Sequence, residues 1–337
     1  MSALVVAQAG PLSTLQDAGR WGFLRNGVPP AGAMDMIGLV AANLLVGNAP
    51  AEAAIEFTLI GDSYELDAES ARVAVAGDAV IRVNGAAVAP WRSITLARGD
   101  RLQIGALRRG ARGYLAVAGG FATPPELGSR STHTRSGLGG SALVAAMRVP
   151  LNRSRVEAGR DVALEPTALP YLAGPIRVVL GPQDDRFTAA GIAAFLGGEY
   201  IVTADADRMG YRLDGPEIAH RDGFNTISDS IMTGSIQVPG TRKPIVLMVD
   251  RQTTGGYPKI ATTTTASLPS LAQLRPGDRL RFAAVSVAEA RELLAAQVAQ
   301  LRALAGRLTP VLRDPRELSS ELLLATNLIA GVVGAHD

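Results

Sequence analysis

The spacing of apolar residues divides the chain into two β-rich stretches with few helices. Residues 55–117 contain short segments in which apolar and polar positions alternate, the period-two pattern of half-buried strands. The pattern returns over residues 176–285, where the unbroken apolar run of residues 245–249 is short enough for a strand buried on both faces. The sequence therefore predicts a mainly β protein.

A short internal repeat indicates two related β domains in tandem. Residues 96–104 read Leu-Ala-Arg-Gly-Asp-Arg-Leu-Gln-Ile, and residues 274–282 read Leu-Arg-Pro-Gly-Asp-Arg-Leu-Arg-Phe. Each copy lies near the end of its β stretch and combines a Gly-Asp turn with alternating apolar residues. We predict a first β domain over residues 1–170, a second over 171–285 and a helical extension over 286–337.

Helices are predicted where a capping residue precedes apolar residues at helical spacing. Asp35 is a suitable N-cap for the helix that follows it. A second helix is expected to begin after Asp185 and to run to about Leu196, and Ser286 with Glu289 forms a capping box for a long third one. A last apolar helix is expected over residues 320–333, packed either on this chain or on another protein of a complex.

Composition and motifs exclude several classes of protein. The 33 basic and 31 acidic residues nearly balance, so neither nucleic acid nor a membrane surface is an expected partner, and the absence of cysteine excludes thiolate chemistry. The chain has no signal-peptide pattern and no run of about 20 apolar residues, so we expect a cytoplasmic protein. P-loop, Rossmann and Gly-x-Ser-x-Gly motifs are missing, the three histidines show no metal-ligand spacing, and neither lysine lies beside a methionine as in a biotin carrier.

Polar chemistry is concentrated after the apolar run of residues 245–249. Residues 250–258 bring together an acid, a base, an amide, two hydroxyls, two glycines and a Tyr-Pro. We expect Gly255 and Gly256 to adopt positive φ, which would let their N–H groups cup an anion or a carbonyl oxygen. From the residues alone, a binding loop and a tight hairpin whose polar groups satisfy one another are equally good interpretations.

Three acid–arginine pairs and one loop are further candidates. The pairs are Asp17 with Arg20, Asp207 with Arg208, and Asp250 with Arg251. Each pair can stabilise a turn, which is the more common role of such a pair, or hold a substrate amide whose oxygen gains negative charge. Residues 128–140 combine hydroxyls, a histidine, two arginines and four glycines, which suits either a flexible surface loop or an anion site.

The order of motifs over residues 4–285 resembles the biotin-dependent carboxyltransferase family, also called allophanate hydrolase subunit 2. Members include the C subunit of bacterial ATP-dependent 5-oxoprolinase, Kip-type antagonists and part of urea carboxylase. The matching segments are Thr14-Leu-Gln-Asp-Ala-Gly-Arg20, Gly27-Val-Pro-Pro-Ala-Gly-Ala-Met-Asp35, Ala42-Asn43 with Gly47-Asn48, Glu56, Tyr114-Leu-Ala-Val-Ala-Gly-Gly120, Gly128-Ser129, Asp207-Arg-Met-Gly-Tyr-Arg-Leu213, Gly234-Ser-Ile-Gln-Val-Pro239 and Thr253-Thr-Gly-Gly-Tyr-Pro258.

The resemblance implies tandem cyclophilin-like β-barrel domains and an activity exercised in a complex. The expected partners are a protein like the B subunit of 5-oxoprolinase, which resembles allophanate hydrolase subunit 1, and a protein like its A subunit. Together they would activate the lactam of 5-oxoproline with ATP and Mg²⁺ and open it to glutamate. The alternatives are the carboxyltransferase half of a biotin-dependent urea or amide carboxylase, with biotin not attached to this chain, and a regulatory antagonist without catalysis.

The candidate site residues come from the matching motifs and the loop of residues 250–258. We expect Arg20 and Arg208 to hold a carboxylate or phosphate and Asp250 to orient the amide, with residues 16–35 facing this loop across a cleft. No metal site is expected. The candidate catalytic residues are Asp17, Arg20, Asp35, Arg208, Gln237, Asp250 and Tyr257, and the candidate substrate-binding residues are Ser129, Thr253, Thr254, Gly255 and Gly256.

Overall fold

The computed structural model describes residues 2–157 and 159–311, and its first half consists of two antiparallel sheets packed around one core. The six-stranded sheet has the order β11-β1-β4-β9-β6-β7 and the five-stranded sheet the order β2-β3-β10-β5-β8. The strands are β1 Ala3–Gln8, β2 Ser13–Gln16, β3 Ala54–Thr58, β4 Ser63–Asp67, β5 Ser70–Ala76, β6 Ala79–Val83, β7 Ala86–Val88, β8 Ser93–Ala97, β9 Arg101–Leu107, β10 Arg112–Val117, β11 Arg148–Pro150 and β12 Val162–Ala163.

The second half is built on one eight-stranded sheet that is nearly closed into a barrel. The eight strands of this sheet are β13 Ile176–Leu180, β14 Tyr200–Ala206, β15 Gly210–Asp214, β17 Ser235–Gln237, β18 Ile245–Leu247, β20 Lys259–Thr263, β21 Arg279–Leu280 and β22 Phe282–Ala284. Two further strands, β16 Asp229–Ser230 and β19 Thr254–Gly255, pair with each other outside it. The sheet order is β21-β14-β15-β18-β17-β20-β13-β22, so its first and last strands are separated in sequence by Arg281 alone. The prediction of a mainly β protein is confirmed.

The internal repeat corresponds to the same turn in both halves. Gly99 and Gly277 both have positive φ, 82° and 92°. In each copy the following aspartate accepts a 2.7 Å hydrogen bond from the backbone N–H three residues earlier, Asp100 from Ala97 and Asp278 from Arg275. The two copies of the repeat therefore form the same turn. The domain boundaries at residues 170 and 285 stay predictions.

Four α-helices accompany the sheets in the described ranges: α1 Met36–Val46, α2 Ala189–Gly197, α3 Leu268–Ala272 and α4 Val287–Ala303. The Asp35 cap is confirmed, because its carboxylate accepts the N–H groups of Ile37 and Gly38, and so is the capping box of Ser286. The helix expected between Asp185 and about Leu196 begins a few residues later, at Ala189, because Thr188 caps it by accepting the N–H of Gly191. The helix expected over residues 320–333 lies outside the described residues.

Helix α1 is buried nearly all round, and the residues just before it reach the second half. Ile37, Leu39 and Leu45 pack with Tyr114 of β10 and with Leu304 beyond α4 in one apolar cluster. Met34, just before α1, belongs instead to the core of the second half. A short pairing of β12 with β23, Thr309–Pro310, returns the described end of the chain to the first half. No helix in the described part of the chain is long and apolar enough to cross a membrane.

Candidate functional site at the junction of the two halves

A buried arginine joins the two halves through two carboxylates. The guanidinium of Arg208 in the second half binds both carboxylate oxygens of Asp250, each at 2.9 Å, and donates to Glu56 on β3 of the first half at 2.5 Å. It also donates to the backbone oxygen of Gly32 at 2.8 Å. All three side chains are at most 6% exposed. Such a group of charges must be hydrogen-bonded on every side to be tolerated in the interior, and here it is.

Glu56 extends this contact into a network with the start of α1. Its second oxygen accepts the hydroxyl of Tyr114 at 2.7 Å and the backbone N–H of Met34 at 2.8 Å. Burial raises the pKa of Glu56, but Arg208 and Arg112 outweigh it, so the pKa lies below its usual value and the carboxylate is ionised. The Arg208–Asp250–Glu56 cluster, hereafter the buried ion cluster, is thus a fixed part of the junction between the halves.

Asp35 forms a second buried contact between the halves. Besides capping α1, its carboxylate accepts the hydroxyl of Tyr171 and, at 2.7 Å, the amide of Gln273 from the second half. Burial is the largest influence on this group and raises its pKa to about 6, although the four hydrogen bonds act in the opposite direction. Asp35 is therefore placed as an anchor of α1, and the structure puts its side chain among protein partners.

Asp17 holds the loop of residues 128–140 against the first half. Its carboxylate accepts the hydroxyls of Ser129 at 2.6 Å and Ser131 at 2.5 Å, and the backbone N–H of Arg130 at 2.7 Å. Burial raises the pKa of Asp17, but these hydrogen bonds together lower it below its usual value. The base of the loop is accordingly buried and ordered by hydrogen bonds, which excludes the flexible-loop interpretation for residues 129–133.

The same loop reaches across to the second half. Arg20 donates to the backbone oxygen of Ser131, and its Nη1 has no hydrogen-bond partner among the described residues. His133, further along the loop, places its Nε2 at 3.4 Å from the backbone oxygen of Asp250. Residues 16–35 and the loop of residues 250–258 therefore both lie at the junction of the two halves. Residues 128–140 contact both segments, through Arg20 and through Asp250.

The loop of residues 250–258 is a short β pairing, and the expected anion nest is wrong. Thr254–Gly255 pairs antiparallel with Asp229–Ser230, and the backbone oxygen of Thr253 accepts the N–H of Ile231 at 3.0 Å. Neither Gly255 nor Gly256 has positive φ. Gly255 is needed for its size instead, because a Cβ there would lie 2.6 Å from Ile231 Cδ1 and 2.8 Å from Gln237 Nε2.

Beside the buried ion cluster lies an open cavity of about 700 Å³ lined mainly by polar side chains. We call it the polar cleft. Its polar lining residues are Arg135, Asp205, Asp207, Arg212, Gln237, Gln252 and Tyr257. Arg135 comes from the first half and the other six from the second, so the cleft is completed only where the halves meet. A larger cavity of about 810 Å³ near Trp91 has a mostly apolar lining.

The structure separates the predicted site residues into five groups. Gln237 and Tyr257 line the polar cleft, while Arg208 and Asp250 lie in the buried ion cluster behind it. Asp17, Arg20 and Ser129 hold the loop of residues 128–140, and Asp35 caps α1. Thr253, Thr254, Gly255 and Gly256 form the short β pairing. The catalytic and binding roles given to these residues stay predictions.

Sequence reasoning missed three residues of this region. Glu56 stands among the matching motifs, but its partner Arg208 is 152 positions away, so spacing carries no signal for the pair. Arg135 lies in residues 128–140 and Gln252 in residues 250–258, the two segments that are rich in polar residues. This polar composition is the sequence feature from which both residues could have been predicted. The described residues contain no group of three or more His, Cys, Asp or Glu that could hold a metal ion.

The fold and the tandem β units are those of a carboxyltransferase domain. The family model for the carboxyltransferase domain, subdomains A and B, matches residues 26–284, and the chain belongs to this family. The C subunit of 5-oxoprolinase from Escherichia coli K12 is 36% identical over 311 residues, which cover 90% of this chain and 98% of that protein. The corresponding C subunit from Haemophilus influenzae is 33% identical over 284 residues, 83% of this chain and 91% of that protein.

Larger eukaryotic proteins contain a similar unit. The urea amidolyase of Saccharomyces cerevisiae is 30% identical over 327 residues, which cover 90% of this chain but 18% of that protein. The crystal structure of the Kluyveromyces lactis urea amidolyase superposes with a TM-score of 0.83 at 29% identity, covering 93% of this chain and 21% of that one. The relatives are thus enzymes or enzyme subunits, and this chain spans about a fifth of the larger ones.

Proposed function

We propose that this chain is the C-type subunit of an ATP-dependent 5-oxoprolinase complex, which opens the lactam of 5-oxoproline to glutamate. The observation that carries the proposal is the match to two proteins named as the C subunit of 5-oxoprolinase along 98% and 91% of their lengths. The urea amidolyases match equally far along this chain, but it accounts for at most 19% of the two curated ones. The match thus extends along nearly the whole of both C subunits and along only a small part of the urea amidolyases.

The chain's own contribution is to bind and orient the lactam. The polar cleft offers guanidinium groups, carboxamides, a phenol and carboxylates, which together can donate to the amide oxygen and accept from the amide N–H. The buried ion cluster fixes the two halves on either side of it, so that groups from both halves keep their positions. Gln237 and Tyr257 are the predicted site residues that touch the bound lactam in this scheme.

The ATP of the reaction is assigned to the complex and not to the polar cleft. Two arginines and two aspartates line the cleft, so their formal charges cancel and offer no net attraction to a triphosphate with its Mg²⁺. The sequence also lacks a P-loop. We assign ATP to the A-type and B-type partners, with which the chain forms a cytoplasmic hydrolase that is active only when assembled.

The second candidate is the carboxyltransferase half of a biotin-dependent urea or amide carboxylase. The family model, named for the carboxyltransferase domain, is the observation that favours it. A substrate of this kind also presents an amide nitrogen and oxygen, so the same cleft would serve it. In that case biotin would arrive on another chain, because neither Lys243 nor Lys259 lies beside a methionine.

Reconstitution tests the proposal and separates the candidates. The chain is mixed with its A-type and B-type partners, and ATP hydrolysis is measured with 5-oxoproline, with urea and with neither. We expect hydrolysis that depends on 5-oxoproline and on this chain. Transfer of a carboxyl group from free carboxybiotin to urea, without 5-oxoproline turnover, would establish the second candidate instead. Tight binding to the B-type partner without turnover of any amide would indicate a regulatory antagonist.

A further inference from the structure

The polar cleft contains charged groups that the protein itself leaves without partners. The guanidinium groups of Arg135 and Arg212 make no hydrogen bond or ion pair with any residue in the described ranges, and the same holds for the carboxylate of Asp205. The other carboxylate, Asp207, is engaged by the backbone N–H groups of Met209 at 2.7 Å and Gly210 at 3.1 Å. Two cations and one anion are therefore available to a ligand.

Arg135 is held in place although its own side chain has no partner among the described residues. It lies in a tight turn in which the N–H of His133 donates to Leu138 at 2.8 Å, the N–H of Gly137 donates to His133 at 3.0 Å, and Ser136 contacts the His133 ring at 2.7 Å. His133 also contacts the backbone of Asp250 in the second half. The backbone of Arg135 is thus held at the cleft before a ligand binds, so that only its exposed side chain has to be ordered by the ligand.

From this arrangement we propose that the polar cleft binds a small molecule carrying both a carboxylate and an amide, and that Arg135 determines specificity by binding the carboxylate. The carboxamides of Gln237 and Gln252 serve the amide oxygen, and Asp205 accepts the amide N–H. The assignment rests on the proposed function, because 5-oxoproline has these three groups on one five-membered ring. Urea itself has no carboxylate, so Arg135 would have no such contact with bound urea.

A binding cycle on the full chain tests the assignment directly. Titration calorimetry compares 5-oxoproline with 2-pyrrolidinone, which has the same lactam without the carboxylate, on the wild type and on Arg135→Gln. The wild type should bind 5-oxoproline about tenfold more tightly than 2-pyrrolidinone, as expected for one charge-assisted hydrogen-bonded contact. Arg135→Gln should remove this preference, and Arg302→Gln, an exposed arginine on α4, should keep it.

Two results would overturn the assignment: a wild type that shows no preference for 5-oxoproline, or an Arg135→Gln variant that keeps it. A second measurement separates this failure from that of the proposed function. In the assembled complex, Arg135→Gln should raise the KM for 5-oxoproline about tenfold and leave kcat within about twofold. Wild-type turnover with an unchanged KM in the variant contradicts only the role of Arg135, whereas no wild-type turnover contradicts the function itself.

Discussion

At the scale of single residues, Arg208 is the side chain on which the junction of the two halves depends most. Arg208→Met would leave Glu56 and Asp250 buried without their cation, which costs about 3–5 kcal/mol in the free energy of unfolding. Arg242→Met is the matched control, because its 3.4 Å pair with Glu217 is more than half exposed and should cost at most about 1 kcal/mol. Urea denaturation of both variants measures the difference, and equal losses would contradict a stabilising role for the buried ion cluster.

The buried carboxyl of Asp35 gives the protein a pH-dependent stability. Its pKa is raised from 3.8 to about 6, so the folded state holds this proton more tightly than the unfolded chain. The stability that it contributes is therefore fully present below pH 3.8 and is lost as the pH rises through about 6, by an amount on the order of 3 kcal/mol.

Asp35→Asn should remove that dependence. The difference in unfolding free energy between wild type and Asp35→Asn should shrink as the pH rises from about 4 to about 7, because only the wild type loses stability from this group. Chemical denaturation at three pH values in this range provides the measurement, with Asp222→Asn, an exposed aspartate, as a control that changes nothing. A difference that grows with pH would show that Asp35 is ionised in the folded protein and that its hydrogen bonds outweigh burial.

At the scale of elements, the wall of the polar cleft depends on the size of Gly255. Gly255→Ala would bring a methyl group to 2.6 Å from Ile231 and 2.8 Å from the Gln237 amide, and should lower the free energy of unfolding by about 1–3 kcal/mol. Gly197→Ala, at the exposed last position of α2, is the control, because a Cβ there would meet no heavy atom within 4 Å. Thermal unfolding of the two variants should rank Gly255→Ala clearly below Gly197→Ala, and the reverse order would refute the steric explanation.

Elements whose signals are local were predictable from the sequence. The cap at Asp35 and the capping box at Ser286 depend on residues at most three positions away, and both are present. The conformation of Gly255 was not predictable, because it is set by pairing with Asp229–Ser230, a segment more than 20 residues earlier that carries no strand signal of its own.

At the scale of the whole molecule, the repeat around Gly99 and Gly277 was enough to indicate two related β units, and the mainly β fold agrees with it. What the sequence could not provide is how the units meet. The contacts of Arg208 with Glu56 and of Gln273 with Asp35 join residues 152 and 238 positions apart. Arg135 reaches the polar cleft only because the halves are held in this arrangement, so the complete cleft is a property of tertiary structure.

As a whole, the molecule is expected to supply the lactam-binding part of an assembled 5-oxoprolinase. The most direct measurement is glutamate formation from 5-oxoproline and ATP by the chain together with its A-type and B-type partners, compared with the same mixture lacking this chain. We predict glutamate formation with ATP consumed in proportion in the complete mixture, and at least about a hundredfold less when the chain is omitted. Equal rates with and without the chain, or no glutamate from the complete mixture, would contradict this role.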